Sequence, residues 1–167
     1  LMATNKVASI GGTFNAARRY LRHVDLPWVI VGPAIVFGFF GALLGAQAVA
    51  VFPAEPLRKA LPFVLLFLLF YTWFQPALGG NHQPSKGHFL NQLKAATMGS
   101  GIGFYDGFFG PGAGSFLLFA FVRLFSFDFL HAAAATKLVN VATNLAAIGL
   151  LASLGFINWP LGLAMMV

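Results

Sequence analysis

The sequence predicts an all-α integral membrane protein, a polytopic helical bundle, on three observations. Of its 167 residues 59% are hydrophobic and only 8% charged, where a soluble domain spends about a quarter of its residues on charge; the mean hydropathy is +0.81. Residues 27–52 and 57–74 are apolar runs with few or no charges, long enough or nearly so to cross about 30 Å of hydrocarbon at about 1.5 Å per residue. Finally, Arg18, Arg19, Arg22 and His23 gather in one short connection between apolar segments, as cytoplasmic loops do. A soluble core carrying 20 Phe with so few ionisable groups would have little means of facing water.

Taken in order, residues 2–21 form a mixed first helix. Thr4, Asn5, Ser9, Gly11, Gly12 and Thr13 alternate with Val7, Ile10 and Phe14, a face suited to a bundle interior rather than lipid. The segment lacks a basic leader and an A-x-A site, so it does not read as a signal peptide. Pro27 opens the second helix, where Gly38, Gly41 and Gly45 recur at helical spacing and let another helix approach closely. A short connection at 53–56 returns the chain as a third helix over 57–74, with Arg58 and Lys59 able to snorkel from its end. Residues 75–88, with Pro76, Gly79, Gly80, Asn81 and Pro84, make a polar loop. From Leu93 the chain is glycine-rich. Seven glycines between Gly99 and Gly114, with Pro111, cannot make a quiet helix, since glycine costs about 1 kcal/mol and proline about 3 at interior positions. A break is expected over 109–114, giving a glycine-broken helical hairpin. After a polar turn at 126–128, a helix over 129–154 bears Lys137, Asn140, Thr143 and Asn144, and another starts at Asn158, Trp159 and Pro160. Trp28, Tyr71, Trp73 and Trp159, near segment ends, read as interfacial anchors.

Several function classes are excluded. The net charge of +6 is placed as a topology signal, without the Lys/Arg tract and interleaved aromatics of a nucleic-acid binder. With no cysteine there is no thiolate site or thiol nucleophile. His82 and His88 are loosely spaced with no carboxylate beside them, so no metal is expected. There is no H-E-x-x-H, no G-x-S-x-G and no Gly-Lys-Ser/Thr. Neither catalytic residues nor a cofactor is expected.

A duplication is legible in the chain. Displacing the sequence by 131 residues sets Lys6 on Lys137 and Trp28 on Trp159. The basic turn at 18–23 then faces an uncharged turn at 152–158, so the two related repeats are expected to be inverted, the usual plan of alternating-access transporters. Residues 1–76 belong to the N-terminal repeat, 77–92 to a polar inter-repeat loop and 93–167 to the C-terminal repeat. On this plan roughly 35 residues of a first hairpin precede Leu1, and a complete protein has about 260 residues.

Irregular backbone at membrane depth is tolerated where it is covered or lines a wet cavity, so the glycine-rich break is the leading binding site. Gly110, Gly112, Gly114 and Ser115 would offer N–H groups and the dipole of a helix start to an anion. Lys137 would supply positive potential while Asn140 and Asn144, on its face, donate hydrogen bonds; otherwise Lys137 pairs with Asp106 or a helix-end carbonyl and the asparagines hold helices together. Lys6, with Asn5, Ser9 and Thr13, is the symmetry partner of Lys137. Asp106 either carries a proton or sodium ion for coupled transport or neutralises a lysine; its charge argues against direct contact with an anion. The expected partners are thus a small inorganic or organic anion, membrane lipid and a coupling ion. The glycine faces can serve within a subunit or in a homodimer.

Three stretches carry a family likeness: GFYDGFFGPGAGSF at 103–116, ATKLVNVATNLAA at 135–147 and ATNKVASIGGTFNAARRYL at 3–21. The chain resembles the TauE/SafE sulfite exporter family, also called the DUF81 permeases, over almost its whole length. That resemblance implies a multi-pass bacterial inner-membrane permease with two related halves, moving sulfite, sulfoacetate or other small sulfur-containing anions. Measured against a full member, the chain lacks the first glycine-rich motif and the C-terminal helices. A non-transporting membrane scaffold or assembly protein is the competing expectation.

Overall fold

An apolar chain with few side-chain partners must satisfy its backbone within its own helices, and the computed structural model shows that outcome over the residues it describes, 2–73 and 89–156. Those residues form α1 (Met2–Leu21), α2 (Trp28–Val51), α3 (Ala54–Trp73), α4 (Phe89–Phe108), α5 (Ala113–Phe125) and α6 (Phe129–Ser153), with no strand among them. The expected loop over 75–88, with His82 and His88, and the helix start at Asn158, Trp159 and Pro160 lie outside the described residues, as do the side chains of Asn5, Arg58, Tyr71 and Trp73.

Helix starts follow local chemistry. The Pro27 carbonyl accepts from the N–H groups of Ile30 and Val31 at 2.9 and 3.1 Å, and Trp28 beside it is exposed. The third helix begins earlier than its charge pattern suggests, at Ala54 rather than Leu57. Pro56 therefore falls in the first turn, where a missing N–H costs nothing. Asp128 caps α6 by accepting from the His131 backbone N–H at 2.7 Å.

The bundle is organised by α2 against α4, in an interface built from glycine. A Cβ at Gly41 or Gly45 would collide with the carbonyls of Ser100 and Phe104, and one at Gly103 or Gly107 with those of Gly38 and Ala42. With no side chain between them the two backbones touch, the arrangement that replaces hydrophobic driving force inside a bilayer. The glycine face of α2 thus has α4 as its partner. Two apolar clusters flank it. Ile30, Val31, Leu117, Phe121, Phe125, Phe127 and Val139 join α2, α5 and α6, with Phe121 and Phe127 stacked at 5.5 Å. Val7, Ala46, Ala147 and Leu151 join α1, α2 and α6.

The outward surface is apolar as well. Phe37, Phe40 and Leu44 on α2 and Phe63, Phe67 and Phe70 on α3 are exposed, far beyond the apolar patch an aqueous monomer tolerates. Helices α2 and α6 are long and apolar enough to cross a membrane.

Candidate functional site

The site is made by the interruption between α4 and α5. Gly110 and Gly112 adopt positive φ of 87° and 81° on either side of Pro111, and both the Phe109 and Gly110 N–H groups close α4 on the Tyr105 carbonyl, at 2.8 and 3.2 Å. Only glycine enters this region without strain, so two reversals fit within four residues. Tyr105 fastens the turn by donating its hydroxyl to the Pro111 carbonyl at 2.7 Å.

One turn before the interruption, α4 presents Asp106 to α1 and α6. The Lys6 ammonium lies 3.0 Å from Asp106 Oδ1 and also donates to Asn144 Oδ1 at 3.4 Å. The Thr143 hydroxyl donates to Asp106 Oδ2. Lys6 and Asp106 are 8% and 4% exposed, which makes this a buried ion pair whose remaining lone pairs need such hydrogen bonds to offset desolvation. Asp106 therefore pairs with Lys6, one hundred residues away, and not with Lys137.

Beside the pair is a cavity of about 300 Å³, lined by Lys6, Asp106, Asn140, Asn144 and residues of the α1 and α4–α5 backbones. Since a water takes about 30 Å³, the space holds a small solute with some hydration. Gly110 and Gly114 keep it open: a Cβ at Gly110 would come within 3.4 Å of Lys6 Nζ, and one at Gly114 within 3.2 Å of Asn140 Nδ2. Asp106 borders the cavity directly. The paired lysine neutralises its charge.

Donors prevail among the groups left over. An ammonium has three protons, of which Asp106 and Asn144 take two. Among the described residues the amide N–H groups of Asn140 and Asn144 have no acceptor. The Ala113, Ser115 and Phe116 N–H groups are consumed on Gly110 and Gly112 carbonyls, which leaves those of Gly112 and Gly114. The helix start consequently offers fewer free N–H groups than Gly110, Gly112, Gly114 and Ser115 together suggest. Ser9 and Thr13 line the cavity but turn their hydroxyl protons onto the Lys6 and Ser9 carbonyls, presenting lone pairs.

The sequence-derived candidates thus divide. Lys6, Ser9, Asp106, Gly110, Gly114, Asn140 and Asn144 converge on one cavity, while Lys137, Gly112 and Ser115 are not among its lining residues. Lys137 is half-buried on α6, seven residues before Asn144, or about 10.5 Å along the helix. Asn5 lies in α1 with its side chain outside the described set. Thr143, fully buried, is not among the site residues the sequence suggests, because a helical threonine ordinarily satisfies itself on its own backbone. Thr136, one turn before Asn140, is buried with its hydroxyl unpaired. A larger cleft of about 500 Å³ at the far end of α1, between Arg19, His23 and Leu130, contains no buried ion pair.

Comparison with known proteins places these residues in context. The family described as Sulfite exporter TauE/SafE matches residues 1–167. A probable membrane transporter protein, ORF9, of a Sinorhizobium species is 36% identical over 98% of this chain and 62% of its own length. A probable membrane transporter protein of Haemophilus influenzae is 33% identical over 99% of this chain and 64% of its own. The probable membrane transporter protein YfcA of Escherichia coli K12 is 34% identical, over 99% and 61% respectively. The chain thus spans a little under two thirds of the length of these curated relatives. No solved structure matches it.

Proposed function

Since this chain belongs to the TauE/SafE sulfite exporter family, we propose that it is part of a multi-pass secondary transporter of the bacterial inner membrane, and that the cavity beside Lys6 binds its substrate, a small sulfur-containing or organic anion such as sulfite or a sulfonate. The observation that carries this reading is the set of free donors beside a buried ammonium: one Lys6 proton, the amide N–H groups of Asn140 and Asn144 and the Gly114 N–H. Such donors replace the hydration shell of an anion and do little for a cation.

No covalent step is involved. The protein binds and re-exposes the anion, and the interrupted α4–α5 segment is the element whose backbone can change course. We assign α4 and α5 as the hairpin of one repeat and take α1 and α6, which share the 131-residue displacement and pack together, as equivalent helices of two inverted repeats. Residues 1–76 and 93–167 then belong to the two halves, with 77–92 joining them. Lys137, as the twin of Lys6, adds positive potential along α6, and Gly112 and Ser115 shape the turn.

A second reading draws on the ion pair itself, which ties α1 to α4 and would serve a non-transporting scaffold equally well. Flux separates the two. The full-length protein in proteoliposomes should show saturable sulfite flux, competed by thiosulfate and by a sulfonate. Folded protein with no flux of any of them would reject the anion carrier and favour the scaffold.

A further inference from the structure

The charge balance of the cavity specifies more than an anion. Lys6 and Asp106 neutralise each other at 3.0 Å, and among the described residues no other ionisable side chain faces Asp106 from the elements packed on it. On α1 the facing group is Lys6 itself, and α2 carries none. On α5 the sole charge is Arg123 at its far end. On α6 the facing groups are Asn140, Thr143 and Asn144, with Lys137 and His131 farther towards its start. Within α4, Lys94 is three turns away, and Tyr105 points its hydroxyl at Pro111. An anion bound to Lys6 therefore gives a neutral site a net negative charge, which is expensive at low dielectric.

Asp106 cannot relieve that charge by leaving. Its second oxygen is held by Thr143, and the next residue, Gly107, is locked against the backbone of Ala42. It can lose its charge in place. We propose that Asp106 is the proton-coupling residue: each anion that enters the cavity is accompanied by one proton from water, taken up on the Asp106 carboxyl. The empty site is carboxylate and ammonium; the loaded site is carboxylic acid, ammonium and anion. For a monoanion both are neutral.

Thr143 is built for the exchange. Its hydroxyl has two acceptors within reach, Asp106 Oδ2 and the Asn140 carbonyl at 3.1 Å. With Asp106 ionised the hydroxyl donates to the carboxylate; with Asp106 protonated it turns to the carbonyl and accepts the acid proton. Sodium fits poorly, because at Asp106 it would sit beside the Lys6 ammonium already bound to Oδ1.

This inference rests on the anion-carrier reading, and one experiment separates the two. Full-length protein is reconstituted with a pH-sensitive dye inside the vesicles, and sulfite, thiosulfate and methanesulfonate are supplied outside without a pH gradient. Uptake should acidify the lumen by one proton per anion. In Asp106→Asn any anion that still moves should bring no proton with it; counted per anion moved, sulfite's own protonation cancels in the difference between the two proteins. Anion uptake by the wild type without protons, or driven only by sodium, overturns the coupling and leaves the carrier intact, whether or not Asp106→Asn folds. An Asp106→Asn protein that still acidifies the lumen also overturns it. If none of the three anions moves, the carrier reading falls and the coupling with it.

Discussion

Helix α4 meets its neighbours in two contrasting ways. Against α2 it offers Gly99, Gly103 and Gly107, and every added Cβ would strike backbone. Towards α1 and α6 it offers Asp106, and the turn beyond it Gly110, where an added Cβ would meet Lys6 Nζ at 3.4 Å and the Asp106 carbonyl at 3.5 Å. Glycine is structural in the first region, because rigid carbonyls leave no alternative. In the second it preserves space beside polar groups. The comparison teaches that glycine enrichment alone does not mark a site; what the missing side chain would touch does.

The largest expected effect breaks the first region. Gly45→Leu or Gly103→Val should abolish the close α2–α4 packing, leaving little monodisperse protein on size-exclusion chromatography, whereas Gly114→Ala should elute as wild type. Next comes the ion pair. Asp106→Ala strands a buried ammonium and should cost about 3–5 kcal/mol in thermal or denaturant stability. Lys6→Ala with Asp106→Ala should recover much of that loss, which a double-mutant cycle would read as coupling.

These two regions were legible in the sequence to different degrees. The glycines of α2 at 38, 41 and 45 announced a close helix contact from spacing alone, and glycines flanking Pro111 announced an interruption, because both depend on local backbone cost. Their partners did not show: nothing in the spacing of Gly41 says that Ser100 faces it. The pairing of Lys6 with Asp106 spans one hundred residues and depends on how α1 crosses α6, so Lys137, nearer in the chain, looked an equal partner. Thr143 was silent for a related reason. Its role arises only when α4 brings a carboxylate against it.

Within the second region the expected effects are finer. Gly114→Ala places a methyl against Asn140 and should raise the KM for sulfite roughly tenfold, about 1.4 kcal/mol, with thermal stability unchanged. Tyr105→Phe removes one hydrogen bond to the Pro111 carbonyl and should cost only about 0.5–1.5 kcal/mol, read as a small drop in melting temperature.

The most direct test of the account is the KM for sulfite of full-length Asn140→Ala in proteoliposomes. Asn140 borders the cavity without belonging to the Lys6–Asp106 pair, so its loss should leave the fold intact. A hydrogen bond to a charged group is worth about 1.5–3 kcal/mol, and the account predicts a KM raised at least about tenfold at unchanged stability. A folded variant with wild-type KM would contradict the assignment of this cavity as the anion site.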